Sequence, residues 1–197
     1  MNKNIISLEH DSAIKHVTGR ATYTDDILEP KNLLHAAIGF STICSGEIIK
    51  IDFIDVLKSK GVIDIITDKD IEGTNEVGPV FKGDPIFTSK KIKYHGQPIF
   101  AVAATSYKLA KKAASKVKIK YIKTKSILTI KEALKKKSFV HDPQHLNKGD
   151  AIKNIKESKH KLKGELYSGG QDHFYLEGQI AMTIPQEDNN FLIYSST

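Results

Sequence analysis

The sequence contains a single cysteine, a single arginine and no long apolar run, and each of these shortages excludes a class of protein. Cys44 is the only cysteine among 197 residues. It excludes a disulfide framework, a zinc site built on cysteines and an iron–sulfur cluster held within this chain. No stretch approaches the ~20 apolar residues that a membrane-spanning helix needs, so we predict no membrane association.

The formal net charge of +7 comes almost entirely from lysine, because Arg20 is the only arginine. A surface that grips phosphate or reads bases favours arginine forks and interleaved aromatic residues. The densest basic cluster, residues 131–137, lies on a short amphipathic segment where lysines would coat the solvent-facing side. We therefore predict no nucleic-acid partner.

Length and composition are those of a globular protein with one large or two small domains. Hydrophobic residues make up 40% and charged residues 27% of the chain. Residues 1–10 hold only a short apolar patch followed by an acidic residue, unlike a secretory signal. Together with the single cysteine, this favours a cytoplasmic location.

The apolar pattern of residues 17–123 predicts strands alternating with two short helices in a compact α+β domain. A near-continuous apolar run at 33–40 predicts a strand buried on both faces, and the run at 99–104 predicts the central strand. Further strands are predicted at 17–24, 47–53, 62–66, 85–88, 91–94 and 117–122. The helices are predicted at 54–60, ended by a left-handed Gly61, and after Ser106, whose hydroxyl can cap it.

Residues 124–149 are polar and basic and predict a connection, with a short helix around 130–137. Asp150 is placed to cap a helix that runs through Lys156. Strands are predicted at 161–167, 179–184 and 191–194, with a turn at 187–190. We thus expect a loose lead-in at 1–16, the first domain at 17–123, the connection at 124–149 and a second, β-rich region at 150–197.

The stretch Tyr167–Glu177 concentrates the chemistry of the chain. Gly169 and Gly170 permit close backbone approach or positive φ. Three polar or titratable residues, Gln171, Asp172 and His173, follow them directly, and then an apolar anchor, 174–176, and a carboxyl. The residues alone leave two interpretations open: a polar group held beside a bulky ligand, or an ordinary turn that enters a strand.

This stretch, together with three others, resembles the xanthine dehydrogenases and related aldehyde oxidases. The other three are Val17–Asp26, Lys93–Pro98 and Leu162–Leu166, and all four occur in the family's order. The resemblance implies a hammerhead-type mixed sheet with two or three short helices. It also implies that the region from 150 onward is the truncated beginning of the first molybdopterin-binding domain.

By the same resemblance, the Gln171 side chain would hydrogen-bond an oxygen ligand of the molybdenum in the molybdopterin cofactor without ligating the metal. Asp172, His173 and Glu177 are expected to give structural support. The parent activity is oxidative hydroxylation of purines such as hypoxanthine and xanthine. Its partners would be the remainder of the molybdenum subunit and an iron–sulfur/flavin subunit, since no iron–sulfur or flavin site is expected in this chain.

One departure from the family pattern limits these expectations. The sequence has no counterpart of the Phe-Gly-Gly segment near the cofactor, of the substrate-orienting arginine or of the general-base glutamate. We therefore expect the chain to be inactive alone. Two alternatives stay open: an aldehyde oxidoreductase subunit, or a non-catalytic hammerhead module or remnant that acts only with a partner chain.

Overall fold

The computed structural model describes residues 9–196. Contacts divide them into two compact units, one of residues 30–146 and the other of residues 9–29 with 147–196. Part of the predicted lead-in, residues 1–8, lies outside the described residues. The rest of the lead-in is not loose throughout, because a helix begins at Ala13.

Strands and short helices alternate along the chain. The strands are β1 (His35–Phe40), β2 (Gly46–Asp52), β3 (Val62–Ile66), β4 (Lys91–Ile92), β5 (Pro98–Ala104), β6 (Lys118–Lys123), β7 (Ala181–Pro185) and β8 (Phe191–Ser195). The α-helices are α1 (Ala13–Val17), α2 (Ile54–Leu57), α3 (Tyr107–Ala114), α4 (Ile130–Lys136) and α5 (Ala151–Glu157). Single 3-10 turns occur at Thr24–Asp26, Asp68–Asp70 and Glu187–Asn189.

Residues 30–146 form two three-stranded sheets whose strand pairs are antiparallel. The order is β1-β5-β3 in the first sheet and β4-β2-β6 in the second. The prediction of a central strand is confirmed for β5. Its Ile99, Phe100 and Val102 are all fully buried, so both faces of this strand are covered.

The edge strand β1 differs from its prediction. Ala37 is buried, whereas Ile38 and Phe40 are about half exposed, so only one face is covered and the expectation of burial on both faces is wrong. Gly39 belongs to the covered face. A Cβ atom there would lie 2.1 Å from the Phe100 ring, so this position needs glycine for close approach.

Two helices close the core of residues 30–146. α3 begins after Ser106, whose Oγ accepts a hydrogen bond from the Leu109 amide at 3.4 Å, as predicted. α2 is a single turn, shorter than the predicted 54–60, and Gly61 has the expected positive φ of 78°. Both sheets and both helices contribute to one cluster of buried side chains: Ile43, Ile48, Val56, Ile92, Ile99, Phe100, Val102, Ala113 and Ala114.

Three predicted strands are absent, and two of them have local causes. Val17, the first residue of the strand predicted at 17–24, belongs instead to the helix α1. The Thr18 hydroxyl donates a hydrogen bond to the Ile14 carbonyl of this helix at 2.6 Å. At 85–88 the backbone of Phe87 pairs with a side chain, that of Asn75, instead of a strand. The predicted strand at 161–167 has no regular structure. The strand predicted at 91–94 is reduced to the two residues of β4.

The second unit contains the hairpin of β7 and β8, near the predicted strands 179–184 and 191–194, with the expected turn between them. Asp150 caps α5 as predicted, its Oδ1 accepting from the Lys153 amide at 2.9 Å. The α+β class of the chain is confirmed, while the predicted domain boundaries stay a prediction. None of the helices within residues 9–196 is long and apolar enough to cross a membrane.

Candidate functional site

The stretch 167–177 lies exposed in the second unit. From 161 to 175 the backbone forms neither a helix nor a strand. A Cβ atom added to Gly169 or Gly170 would meet nothing within 4 Å. The Gln171 side chain is exposed and lines neither of the two cavities described in the structure. Its amide is therefore open to a bound group and is not consumed by internal packing.

The expected apolar anchor after Gln171 is not buried. Phe174 is 92% exposed and Leu176 is 87% exposed, so that expectation is wrong. Phe174 has a left-handed φ of 46°, and its amide donates to Asp172 Oδ1 at 3.4 Å. The chain turns locally at this point, and nothing among the described residues covers the two apolar side chains.

Glu177 connects two of the motifs that carry the family resemblance. Its Oε1 accepts a hydrogen bond from the backbone amide of Thr24 at 2.7 Å, across 153 residues of sequence. Thr24 lies in Val17–Asp26, where Asp26 Oδ2 also accepts from the Tyr23 amide at 3.0 Å. This contact agrees with the structural role expected of Glu177, because it fixes the end of the exposed stretch.

The motif Lys93–Pro98 has a packing role in residues 30–146. Gln97 is 2% exposed, and its Oε1 accepts from the Lys93 amide at 2.8 Å. The backbone carbonyl of Gln97 accepts from the Ser41 amide at 2.8 Å, and the backbone carbonyl of Ser41 accepts from the Gly96 amide at 3.0 Å. A buried side-chain amide with these bonds holds the loop after β1 against the start of β5.

Sequence analysis missed a carboxylate that organises the loop before β4. Glu76 accepts hydrogen bonds from the backbone amides of Gly83 at 2.7 Å, Gly78 at 2.9 Å and Asp84 at 2.9 Å. The amides of Gly83 and then Gly78 are the main reason that the pKa of Glu76 falls to about 2. The only signal in the sequence was a glutamate followed by two glycines, and this pattern is equally typical of a loop without such hydrogen bonds.

A second unpredicted feature is a cavity of about 480 Å3 within residues 30–146. The rings of Phe81 and His141 stack in its wall, with centroids 3.9 Å apart and planes inclined by 28°. The cavity contains none of the motif residues. Its remaining lining residues are Lys137, Phe139, Val140, Asp142 and Gln144.

Gln171 is the one described residue that the resemblance assigns to contact with a molybdopterin group. No group of three or more histidine, cysteine, aspartate or glutamate side chains that could hold a metal occurs within residues 9–196. Gln171 offers both an amide donor and a carbonyl acceptor, and the glycine pair before it leaves open space. One exposed amide of this kind can contact such a group but cannot enclose it.

Comparison with known proteins gives the class of the two regions. Residues 18–125 match the family model of the aldehyde oxidase and xanthine dehydrogenase a/b hammerhead domain. Residues 131–197 match the model of a molybdopterin cofactor-binding domain. The chain therefore belongs to the aldehyde oxidase and xanthine dehydrogenase family, as the four motifs predicted.

Individual relatives are similar over nearly the whole chain. Xanthine dehydrogenase from Calliphora vicina is 38% identical over 191 residues, which are 95% of this chain and 14% of that protein. Aldehyde oxidase 4 from Rattus norvegicus is 35% identical over 190 residues, again 95% of this chain and 14% of the relative. The chain thus spans about one seventh of the length of the curated relatives that it matches.

A solved structure supports the fold. The aldehyde oxidoreductase from Desulfovibrio gigas superposes with a TM-score of 0.77 and 25% sequence identity, covering 95% of this chain and 23% of that one. The hammerhead-type α+β architecture is therefore confirmed by structure as well as by sequence.

Proposed function

We propose that this chain forms part of the molybdenum subunit of a hydroxylase that oxidises purines such as hypoxanthine and xanthine. The observation that carries the proposal is the agreement between the ordered family match and the open position of Gln171. The preference for a purine is supported by the 38% identity to a xanthine dehydrogenase.

In the proposed enzyme this chain positions one amide. The molybdopterin cofactor, when bound, supplies the redox chemistry of hydroxylation. Gln171 would help to hold this group by donating a hydrogen bond from its side-chain amide, and Glu177 holds the end of the stretch through the Thr24 amide. We assign no proton transfer to Asp172 or His173, because a general base must lie within reach of the proton that it removes.

The chain alone is expected to be inactive, because one exposed amide does not enclose a cofactor. The test is to purify the 197-residue chain from cells that make molybdopterin, and to measure bound molybdenum and hypoxanthine turnover. We expect neither. Stoichiometric molybdenum together with turnover would show that the chain is sufficient for activity, and would contradict the proposal that it forms only part of the enzyme.

The role of Gln171 is tested in a complex with polypeptides that supply the rest of a molybdenum subunit and the iron–sulfur and flavin centres. Gln171→Ala should lower turnover by about tenfold or more while leaving molybdenum content unchanged, as is typical when a residue outside the metal's ligands is lost. Gln179→Ala, eight residues further on and also exposed, is the matched control. Equal turnover in the two variants would remove Gln171 from the site.

Two further candidates rest on specific observations. The 35% identity to an aldehyde oxidase favours an aldehyde substrate nearly as strongly as a purine. Comparing turnover of hypoxanthine and of benzaldehyde in the same complex decides between them. The second alternative, a non-catalytic hammerhead module that acts through a partner chain, rests on the hammerhead match over residues 18–125. Failure of the complex to gain activity, with stable association, would support that module.

A further inference from the structure

The hydrogen bond between Glu177 and Thr24 joins two segments that the family models assign to different domains. Thr24 lies within the hammerhead match over residues 18–125, and Glu177 within the cofactor-binding match over residues 131–197. Contacts nevertheless place both residues in the same compact unit. The motif Val17–Asp26 has no role in the proposed function, yet it belongs structurally with the cofactor-binding region.

The Thr24 amide lies in a turn that is held by its own hydrogen bonds. Asp26 Oδ2 accepts from the Tyr23 amide at 3.0 Å, and the Asp26 amide donates to the Tyr23 carbonyl at 3.0 Å. The Tyr23 hydroxyl also lies 3.2 Å from Nδ1 of His16, which belongs to α1. The Thr24 amide, the first of the 3-10 turn Thr24–Asp26, is therefore a donor with a fixed position.

Glu177 provides the matching acceptor at the end of the stretch that carries Gln171. Its Oε1 lies 2.7 Å from the Thr24 nitrogen, and both residues are half-buried. A hydrogen bond from a backbone amide to a carboxylate is stronger than one between neutral groups, and partial burial strengthens it further. This bond therefore restrains the stretch at its C-terminal end.

The chain between Gln171 and Glu177 is restricted locally. Phe174 has a left-handed φ of 46°, and its amide donates to Asp172 Oδ1 at 3.4 Å. A turn that an aspartate side chain closes on the backbone limits the conformations of the residues around it. A shift of Glu177 is therefore passed along this short connection to Gln171.

We propose that the contact between Glu177 and the Thr24 amide positions the Gln171 side chain for its cofactor. Both are positioning groups, because neither touches substrate or cofactor and each acts through Gln171. A misplacement of ~1 Å that originates far from the chemistry can cost about 100-fold in rate, so loss of this bond should lower turnover. This inference rests on the function proposed above for Gln171, and a measurement on the chain alone separates the two.

The donor is a backbone amide, and Thr24→Pro removes it. The change is compatible with the local backbone, since Tyr23 is already extended, as the residue before a proline should be, and the first position of a helical turn accepts proline. Thr24→Ala keeps the amide and is the matched control. Glu177→Ala removes the acceptor, whereas Glu177→Gln keeps an acceptor oxygen. Glu165→Ala, at an exposed position six residues before Gln171, controls for the loss of a glutamate.

The first test measures NMR relaxation of the 197-residue chain alone. The backbone order parameter at Gln171 should fall from ~0.85, typical of a fixed backbone, to below ~0.6 in Thr24→Pro and in Glu177→Ala. Thr24→Ala, Glu177→Gln and Glu165→Ala should leave it unchanged, and circular dichroism confirms that each variant is folded. A native value already below ~0.6, or a value that neither Thr24→Pro nor Glu177→Ala lowers, overturns the proposal.

The second test measures turnover in the complex with the polypeptides that complete the enzyme. Thr24→Pro and Glu177→Ala should each lower kcat by about tenfold or more, with KM and molybdenum content unchanged. The two changes combined should stay within about threefold of either alone, because both remove the same bond. Thr24→Ala and Glu177→Gln should stay within about threefold of the native complex.

A Gln171→Ala background shows whether the contact acts through Gln171. In that background neither Thr24→Pro nor Glu177→Ala should lower kcat further. A further loss there, or a loss of molybdenum in parallel with kcat, would show a merely structural role and overturn the proposal. If Gln171→Ala itself leaves turnover unchanged, the function proposed for Gln171 fails, and the order parameters alone decide whether the contact restrains this residue.

Discussion

Residues 30–146 contain a buried apolar core, whereas residues 147–196 leave most of their apolar side chains exposed. Of the buried apolar side chains in the described residues, only Met182 lies outside residues 30–146. By contrast, Leu162, Leu166, Phe174 and Leu176 are all at least 87% exposed. The difference follows from the number of elements that each region can pack together. The first region has two sheets and two helices to pack together, while the second has one hairpin and one short helix.

This comparison shows which region of the chain is stabilised by its own core. A closed core such as that of residues 30–146 is stabilised by its own contacts, and its substitutions should change the free energy of unfolding. An exposed apolar segment contributes little to that free energy and acts only when something covers it. Three of the following contrasts pair a substitution in the core with one in an exposed region, and the last concerns a single loop.

The largest effect is expected at Phe100. Its side chain is fully buried, and its ring packs edge-on against Phe53, with centroids 5.0 Å apart and planes at 73°. Phe100→Ala should lower the free energy of unfolding by about 3–5 kcal/mol, through lost burial and a cavity. Phe174→Ala, at a 92% exposed position, should change it by less than ~0.5 kcal/mol. Urea unfolding followed by circular dichroism measures both, and equal losses would erase the distinction between the regions.

A second contrast uses glycine. A Cβ atom at Gly39 would lie 2.1 Å from the Phe100 ring, so Gly39→Ala forces the ring or β1 to move and should cost about 1–3 kcal/mol. Gly170→Ala meets no atom within 4 Å and should be neutral or slightly stabilising.

Coupling provides the control for the clash. In the double variant Gly39→Ala with Phe100→Leu, the two losses should add to less than their sum, because the smaller side chain relieves the contact. Additive losses would show that Gly39 is needed for a reason other than close approach to the ring.

The sequence predicted well those elements whose packing environment follows from their own residue pattern. β5 is apolar at every position, so both faces must be covered and the strand must be central. α3 has a serine cap and an alanine face, and both signals are local. The strand predicted at 85–88 failed because the Asn75 side chain takes the backbone bonds of Phe87, a contact that no periodicity encodes.

The candidate site was likewise predictable from the sequence only in part. Resemblance located Gln171, but no residue pattern could show that the side chains after it stay exposed, because that depends on what else covers them. The contact between Glu177 and Thr24 joins residues 153 positions apart, which a single sequence does not reveal. The strand predicted at 161–167 has an alternating pattern but pairs with no strand within the described residues, and a strand needs a partner as well as a pattern.

Helix capping gives a third, smaller contrast. Ser106→Ala removes the acceptor for the Leu109 amide at the start of α3, whose alanine face is buried, and should cost about 1 kcal/mol in the free energy of unfolding. Asp150→Ala removes the equivalent bond from α5, which buries no residue. That variant should lose helix content locally without shifting the urea midpoint. A shift as large as that of Ser106→Ala would mean that α5 belongs to the cooperative core.

The smallest effect is expected at Glu76, because it is confined to one loop. The pKa of Glu76 is lowered to about 2 from an ordinary 4.5, so its stabilising contribution is complete above pH 4.5 and is lost as pH falls toward 2. Hydrogen exchange of the Gly78, Gly83 and Asp84 amides should therefore be faster in Glu76→Gln than in the native chain at neutral pH. The difference should shrink steadily below pH 4.5. Glu72→Gln, at an exposed position four residues earlier, is the control and should leave the exchange of these amides unchanged. A difference between Glu76→Gln and the native chain that persists unaltered at pH 2 would mean that the three hydrogen bonds do not depend on the charge of Glu76.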